Sequence, residues 1–144
     1  MSGTEALQQA LVAEHAAYYV YGVLGGRVSR SLTPTLADAL ATAYLDHGRR
    51  RDELEDLVRG EGATPVAAAP AYDVPRALGT PARLTATALR VERACATSYA
   101  ALVAAVTGDT RRWAVQSLTA TALSEIRFDG AAEAFPGAPE LGGG

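Results

Sequence analysis

Apolar residues recur at spacings of three and four through most of the chain, and the recurrence breaks where Gly and Pro gather. Near the N-terminus Leu7, Leu11, Tyr18 and Tyr21 share one face, with Glu14 among them. Ser2 and Glu5 fit a capping box, in which each side chain satisfies the other residue's amide. The pattern predicts a first helix over about residues 4–25, weakened at its end by Gly22, Gly25 and Gly26. Thr33-Pro34 opens a second, because threonine can cap and proline suits a first helical position that needs no amide donor. Leu36, Leu40, Ala43, Tyr44, His47, Leu54 and Val58 carry its inner stripe over about 34–60. Thr80-Pro81 repeats the device for a third helix over about 81–107, through Leu84, Ala88, Val91, Glu92, Cys95, Tyr99, Leu102 and Val106. Asp109 is the expected cap of a fourth over about 110–129, with Trp113, Leu118, Thr121, Ala122, Glu125 and Ile126 inside. Residues 130–144, which end in PGAPELGGG, read as a flexible tail.

The connections choose the topology. Residues 62–79 hold three prolines and no helical period, so they read as an extended linker. Eighteen residues can reach about 55 to 60 Å, whereas a 27-residue helix is about 40 Å long. The linker can therefore cross the whole molecule and let the second and third helices run the same way. The expected fold is all-α: a single domain over residues 1–129, a four-helix bundle with a long crossover between its second and third helices, as in ferritin-like bundles. An up-down-up-down bundle follows instead if the linker only loops at one end.

Each inner stripe is interrupted by an ionisable residue: Glu14, His47, Glu92 and Glu125. Counted from the helix ends at 1.5 Å per residue, the crossover topology puts all four within about one turn of a common level. Three carboxylates buried together need compensation, which a divalent metal or neighbouring arginines can provide. Arg50 and Arg51 follow His47 by one turn, and Arg90, Arg93 and Arg127 flank the two later glutamates.

Composition narrows the classes. Hydrophobic residues make up 49% and charged residues 20% of the 144, enough for a real core. A net charge of −3 with dispersed acids leaves no basic stripe for nucleic acid. No apolar run reaches the length of a membrane span and the N-terminus is not a signal peptide, so the expectation is a cytoplasmic protein. Cys95 has no intrachain partner and reads as a small core residue. Every basic residue is Arg, Asn is absent and Ala is abundant, a bias of genome composition. The chain has no phosphate loop, nucleotide fingerprint or nucleophile triad, so neither a catalytic residue nor an organic cofactor is assigned.

The four polar positions resemble those of the ferritin-like superfamily, whose di-iron centres take Glu from the first helix, Glu-x-x-His from the second, Glu from the third and Glu-x-x-His from the fourth. Here those positions are Glu14, Tyr44-Leu-Asp-His47, Glu92 and Glu125-Ile-Arg-Phe128. Tyr44 and Phe128 replace two ligands, so a complete di-iron centre is not expected. More closely, EHAAYYVYG, DHGRRRDEL and the proline-rich crossover are similar to an uncharacterised actinobacterial ferritin-like family. The resemblance implies one divalent ion (iron, manganese or zinc) on Glu14, His47 and Glu125, with Glu92 as fourth ligand or outer acceptor, for redox chemistry or metal handling. Tyr18 or Tyr44 beside such a centre would donate an electron or a hydrogen bond. The competing expectation is a non-catalytic, self-associating bundle, such as a homodimer, whose polar layer is closed by Glu–Arg salt bridges. A third is a small-molecule cavity beside Tyr18, Tyr44 and Tyr99. His15 is assigned a structural or surface role.

Overall fold

The computed structural model describes residues 1–130 and 136–138. Four helices and no strand occur among the described residues: α1 Gly3–Arg27, α2 Pro34–Gly60, α3 Pro81–Ala105 and α4 Gly108–Arg127. Residues 131–135 and 139–144 of the expected tail lie outside the described residues.

The helix starts follow local chemistry with two corrections. The capping box forms, with Glu5 N donating to Ser2 Oγ at 3.1 Å and Ser2 N to Glu5 Oε2 at 2.6 Å. Thr80 caps α3 by accepting from Arg83 N. Thr33 precedes α2 but makes no cap bond; its hydroxyl donates to Ser29 O at 3.0 Å and is consumed by the preceding turn. Asp109 is not the cap of α4 either. The helix begins two residues earlier than expected, at Gly108 after Thr107, and Asp109 lies in its first turn, where its carboxylate accepts from Arg112 and faces the positive helix end. Gly62 ends α2 with φ of +77°, a left-handed position that a side chain would strain.

Contacts along the helices set their directions. On α1, Gly22 lies against Tyr44, Glu14 against Arg50, and Gln8 against Thr64 just past α2, so α1 and α2 are antiparallel. Tyr21 meets Ala88 while Gly3 meets Val106, so α3 is also antiparallel to α1. Helices α2 and α3 therefore run in parallel, and the segment between them spans the bundle. Gln8 holds this strap with both ends of its amide, Nε2 to Thr64 O at 2.7 Å and Oε1 from Val66 N at 2.9 Å. Buried His15 adds a hydrogen bond from Nε2 to Val66 O, a structural role as expected. Arg93 near Glu125 and Arg111 on Val103 O make α4 antiparallel to α3. The α2–α4 seam is sparsely packed, and Trp113 Nε1 bridges it by donating to Glu53 Oε2 at 2.8 Å.

Two apolar clusters fill the bundle. One holds Leu7, Leu11, Leu54, Val58 and Leu102; the other holds Val20, Leu24, Leu40, Leu84 and Phe128. Each fully buried leucine contributes about 1.5 to 3 kcal/mol, so the halves stabilise a polar layer that would be costly alone. Glu14, His47 and Glu92 lie between them, fully buried.

Candidate functional site

The layer is built from α1, α2 and α3. His47 on α2 points both ring nitrogens at carboxylates: Nδ1 lies 2.5 Å from Glu14 Oε2 and Nε2 lies 2.9 Å from Glu92 Oε1. Ionised carboxylates only accept, so with Glu14 and Glu92 both ionised the ring donates from both nitrogens as an imidazolium, the form favoured by its raised pKa. Arg50, one turn further along α2, donates from Nε to Glu14 Oε1 at 3.1 Å. Its Nη2 also lies 3.3 Å from His47 Nδ1. With both groups protonated this is a close approach of two cations, tolerated because Glu14 faces both. Tyr99 donates to Glu14 Oε1 at 2.5 Å and Tyr21 to Glu92 Oε1 at 2.6 Å. The Tyr21 ring also stacks on the imidazole, with centroids 5.0 Å apart.

The two tyrosines follow a rule visible in the numbering. Each stands seven residues after the glutamate of its own helix, Glu14 to Tyr21 and Glu92 to Tyr99, and each bonds the glutamate of the other helix. Two antiparallel helices carrying the same Glu-x6-Tyr spacing thus cross-bond about His47. Neither tyrosine was singled out for the layer by the helical pattern, although the repeated spacing was the signal available.

The electrostatics follow the geometry. Burial alone would raise the Glu14 carboxyl, but the charge and hydrogen bond of His47, the charge of Arg50 and the Tyr99 hydroxyl pull it below its ordinary value. Burial would likewise depress His47, yet Glu14 and the hydrogen bonds around the ring hold it well above 6.5. The Tyr21 and Tyr99 hydroxyls are pushed well up by burial and by the carboxylates they serve. Burial, with Glu14 next, raises the Cys95 thiol to about 11, so this thiol is a poor nucleophile. Two carboxylates, one imidazolium and one guanidinium sum to zero, so their mutual attraction and hydrogen bonds offset part of the desolvation cost of burying them.

Glu125 is buried on α4, with Oε2 3.6 Å from Arg93 Nε. Tyr44 and Tyr18 stack on each other at 4.4 Å and share a hydrogen bond, with Arg51 over Tyr18. They line an outer groove of about 410 Å3, and Tyr99 is not among its lining residues. Gly48 permits this pair, since a Cβ there would stand 2.9 Å from the Tyr18 ring.

Residues 6–140 match the family model described as Domain of unknown function (DUF4439). The chain belongs to this family. The DUF4439 fold is also that of a conserved hypothetical protein, rv2844, from Mycobacterium tuberculosis, whose crystal structure superposes with a TM-score of 0.80. The two are 31% identical over 88% of this chain and 87% of that one. No curated protein matches this DUF4439 chain. Among the described residues, no helix is long and apolar enough to cross a membrane.

The donor chemistry of this DUF4439 site can be tested against a metal. Atoms of Glu14, His47 and Cys95 lie within 4.8 Å of one another, and Glu92 Oε2 is buried with no hydrogen-bond partner. A metal on His47 needs a nitrogen lone pair, and both nitrogens already lie within hydrogen-bond distance of a carboxylate. Arg50 Nε already occupies Glu14 Oε1 at 3.1 Å, which places a fixed cation on the carboxylate that such an ion would need. Tyr44 is turned outward onto Tyr18, and Phe128 is an apolar core residue. As arranged, the side chains do not fit a two-metal centre.

Proposed function

We propose that this protein is a ferritin-like bundle whose polar layer is closed by its own cations, and that it acts as a non-catalytic structural module rather than as a metal oxidase. The ferritin-like reading is supported by parallel α2 and α3, by the strap that spans the bundle, and by at least one buried ionisable residue on each helix. The observation that carries the non-catalytic reading is His47 held between Glu14 and Glu92 with Arg50 on Glu14. Every charge in that group has its counter-charge within hydrogen-bond reach.

A single-ion reading has its own support in the Glu14–His47–Cys95 cluster and the unbonded Glu92 Oε2. It requires displacement of the imidazolium proton and the thiol proton beside a fixed guanidinium. We therefore favour the ion-paired layer. The deciding experiment purifies the protein without chelator, equilibrates it with Fe2+, Mn2+ or Zn2+, and measures bound metal with the melting temperature. The ion-paired reading expects no stoichiometric metal and no rise in melting temperature. One equivalent of metal, lost together with its thermal shift in Glu14→Ala, would establish the single-ion reading.

A further inference from the structure

Two half-buried tyrosines from different helices meet outside the polar layer. Tyr18 of α1 and Tyr44 of α2 hold their rings 19° from parallel with centroids 4.4 Å apart, and the Tyr44 hydroxyl donates to that of Tyr18 at 2.6 Å. The gap thus narrows from the ring centres to the oxygens, and the carbons ortho to each hydroxyl lie between those two levels. Gly48 makes the approach possible, since a Cβ there would stand 2.9 Å from the Tyr18 ring, and the Arg51 guanidinium lies 4.4 Å from the Tyr18 centroid.

The other tyrosines are placed differently. Tyr19 and Tyr72 are tilted by 57° at 5.5 Å, and the Tyr72 hydroxyl accepts from Ala69 N. Tyr21 and Tyr99 are fully buried and give their hydroxyls to Glu92 and Glu14.

We propose that the Tyr18–Tyr44 pair is a site of oxidative modification, at which a peroxide-driven one-electron oxidant of the haem-peroxidase class joins the two rings as dityrosine. Each phenol gives up one electron and its hydroxyl proton, leaving two phenoxyl radicals whose unpaired electrons extend to the ortho carbons. One ortho carbon of each ring forms the new carbon–carbon bond, and the hydrogen on each of those carbons moves to its own ring oxygen and restores the phenol. The peroxide takes up the two electrons and two protons and is reduced to two waters, so the protein loses two hydrogens. Both rings line an outer groove of about 410 Å3, which gives the oxidant its access. The product closes residues 18–44 into a covalent loop and ties α1 to α2, restricting the unfolded chain as a disulfide does.

Neither ring bonds Glu14, His47 or Glu92, so the inference stands apart from how the polar layer is closed. Dilute metal-free protein would be treated with hydrogen peroxide and a haem peroxidase, with free tyrosine as the check that the oxidant is active. Dityrosine fluorescence, intact mass and peptide mapping read the product. The expected result is a monomer lighter by two hydrogens, with the Tyr44 peptide cross-linked to the Tyr18 peptide and a melting temperature above that of untreated protein. Tyr18→Phe and Tyr44→Phe, which keep the rings, should each abolish the cross-link, whereas Tyr72→Phe should retain it. Absence of dityrosine in the folded wild type, a cross-link that maps to another pair or joins two chains, undiminished dityrosine in Tyr44→Phe, or an unchanged melting temperature of the cross-linked form would each overturn the proposal.

Discussion

Replacing His47 by Gln removes the cation shared by Glu14 and Glu92 and keeps a side chain of similar reach. Arg50 then faces two buried carboxylates alone, and Glu92 retains only the Tyr21 hydroxyl among the bonds described above. Breaking a fully buried ion pair costs about 3 to 5 kcal/mol, a large share of the 5 to 15 kcal/mol typical of a whole domain. For a chain of this length each kcal/mol moves the midpoint by about 2 to 4 °C, so the melting temperature should fall by about 6 to 20 °C. The pH dependence separates this from simple loss of packing. Because His47 is raised above 6.5 in the folded chain, its contribution is fully present below pH 6.5 and lost as pH rises through the folded value. Wild-type stability should therefore decline above pH 6.5 by up to about 1.4 kcal/mol per pH unit relative to the variant. On the acid side Glu14, lowered from 4.5, contributes fully above that value and is lost as pH falls through its folded value. Urea denaturation of both proteins from pH 4 to 9 measures this directly. Parallel stability curves, or a penalty below about 1 kcal/mol, would refute the imidazolium between two carboxylates.

Glu14 and Glu92 are not equivalent, since Glu14 serves His47, Arg50 and Tyr99 whereas Glu92 serves His47 and Tyr21. Glu14→Gln should cost about 3 to 5 kcal/mol and Glu92→Gln clearly less, as read by urea midpoints; the reverse order would contradict the bonding pattern. Gln8→Ala should release the strap from α1 at a cost of about 1 to 2 kcal/mol, with faster amide exchange at Val66 and unchanged exchange in the core helices. Cys95, buried with its thiol raised to about 11, should react with a disulfide reagent only as fast as the chain opens, and an immediate stoichiometric reaction at pH 8 would refute its burial.

Much of this architecture was legible because its signals are local or additive. Periodicity and Thr-Pro starts located the helices, and the length of the 62–79 segment allowed it to span the bundle. Burial of Glu14, His47, Glu92 and Glu125 followed from their places in the apolar stripes. What escaped depended on rotation between helices. Tyr18 and Tyr44 lie on inner stripes yet lean outward onto each other, whereas Tyr21 and Tyr99 turn into the layer. A few tens of degrees of helix phase decide which tyrosine faces a carboxylate, and spacing along one helix does not fix that phase. The Ser2 and Thr80 caps formed, whereas the Thr33 hydroxyl had a nearer acceptor in Ser29 O and Asp109 fell inside the first turn of α4.

Nitrogen NMR of the His47 side chain in metal-free protein at pH 7.5 asks whether the ring is protonated at neutral pH between Glu14 and Glu92. An ion-paired imidazolium carries hydrogen on both Nδ1 and Nε2, and its shifts stay unchanged after equilibration with zinc. A ring with one unprotonated nitrogen, or one whose nitrogen shift moves with one equivalent of zinc, would contradict it.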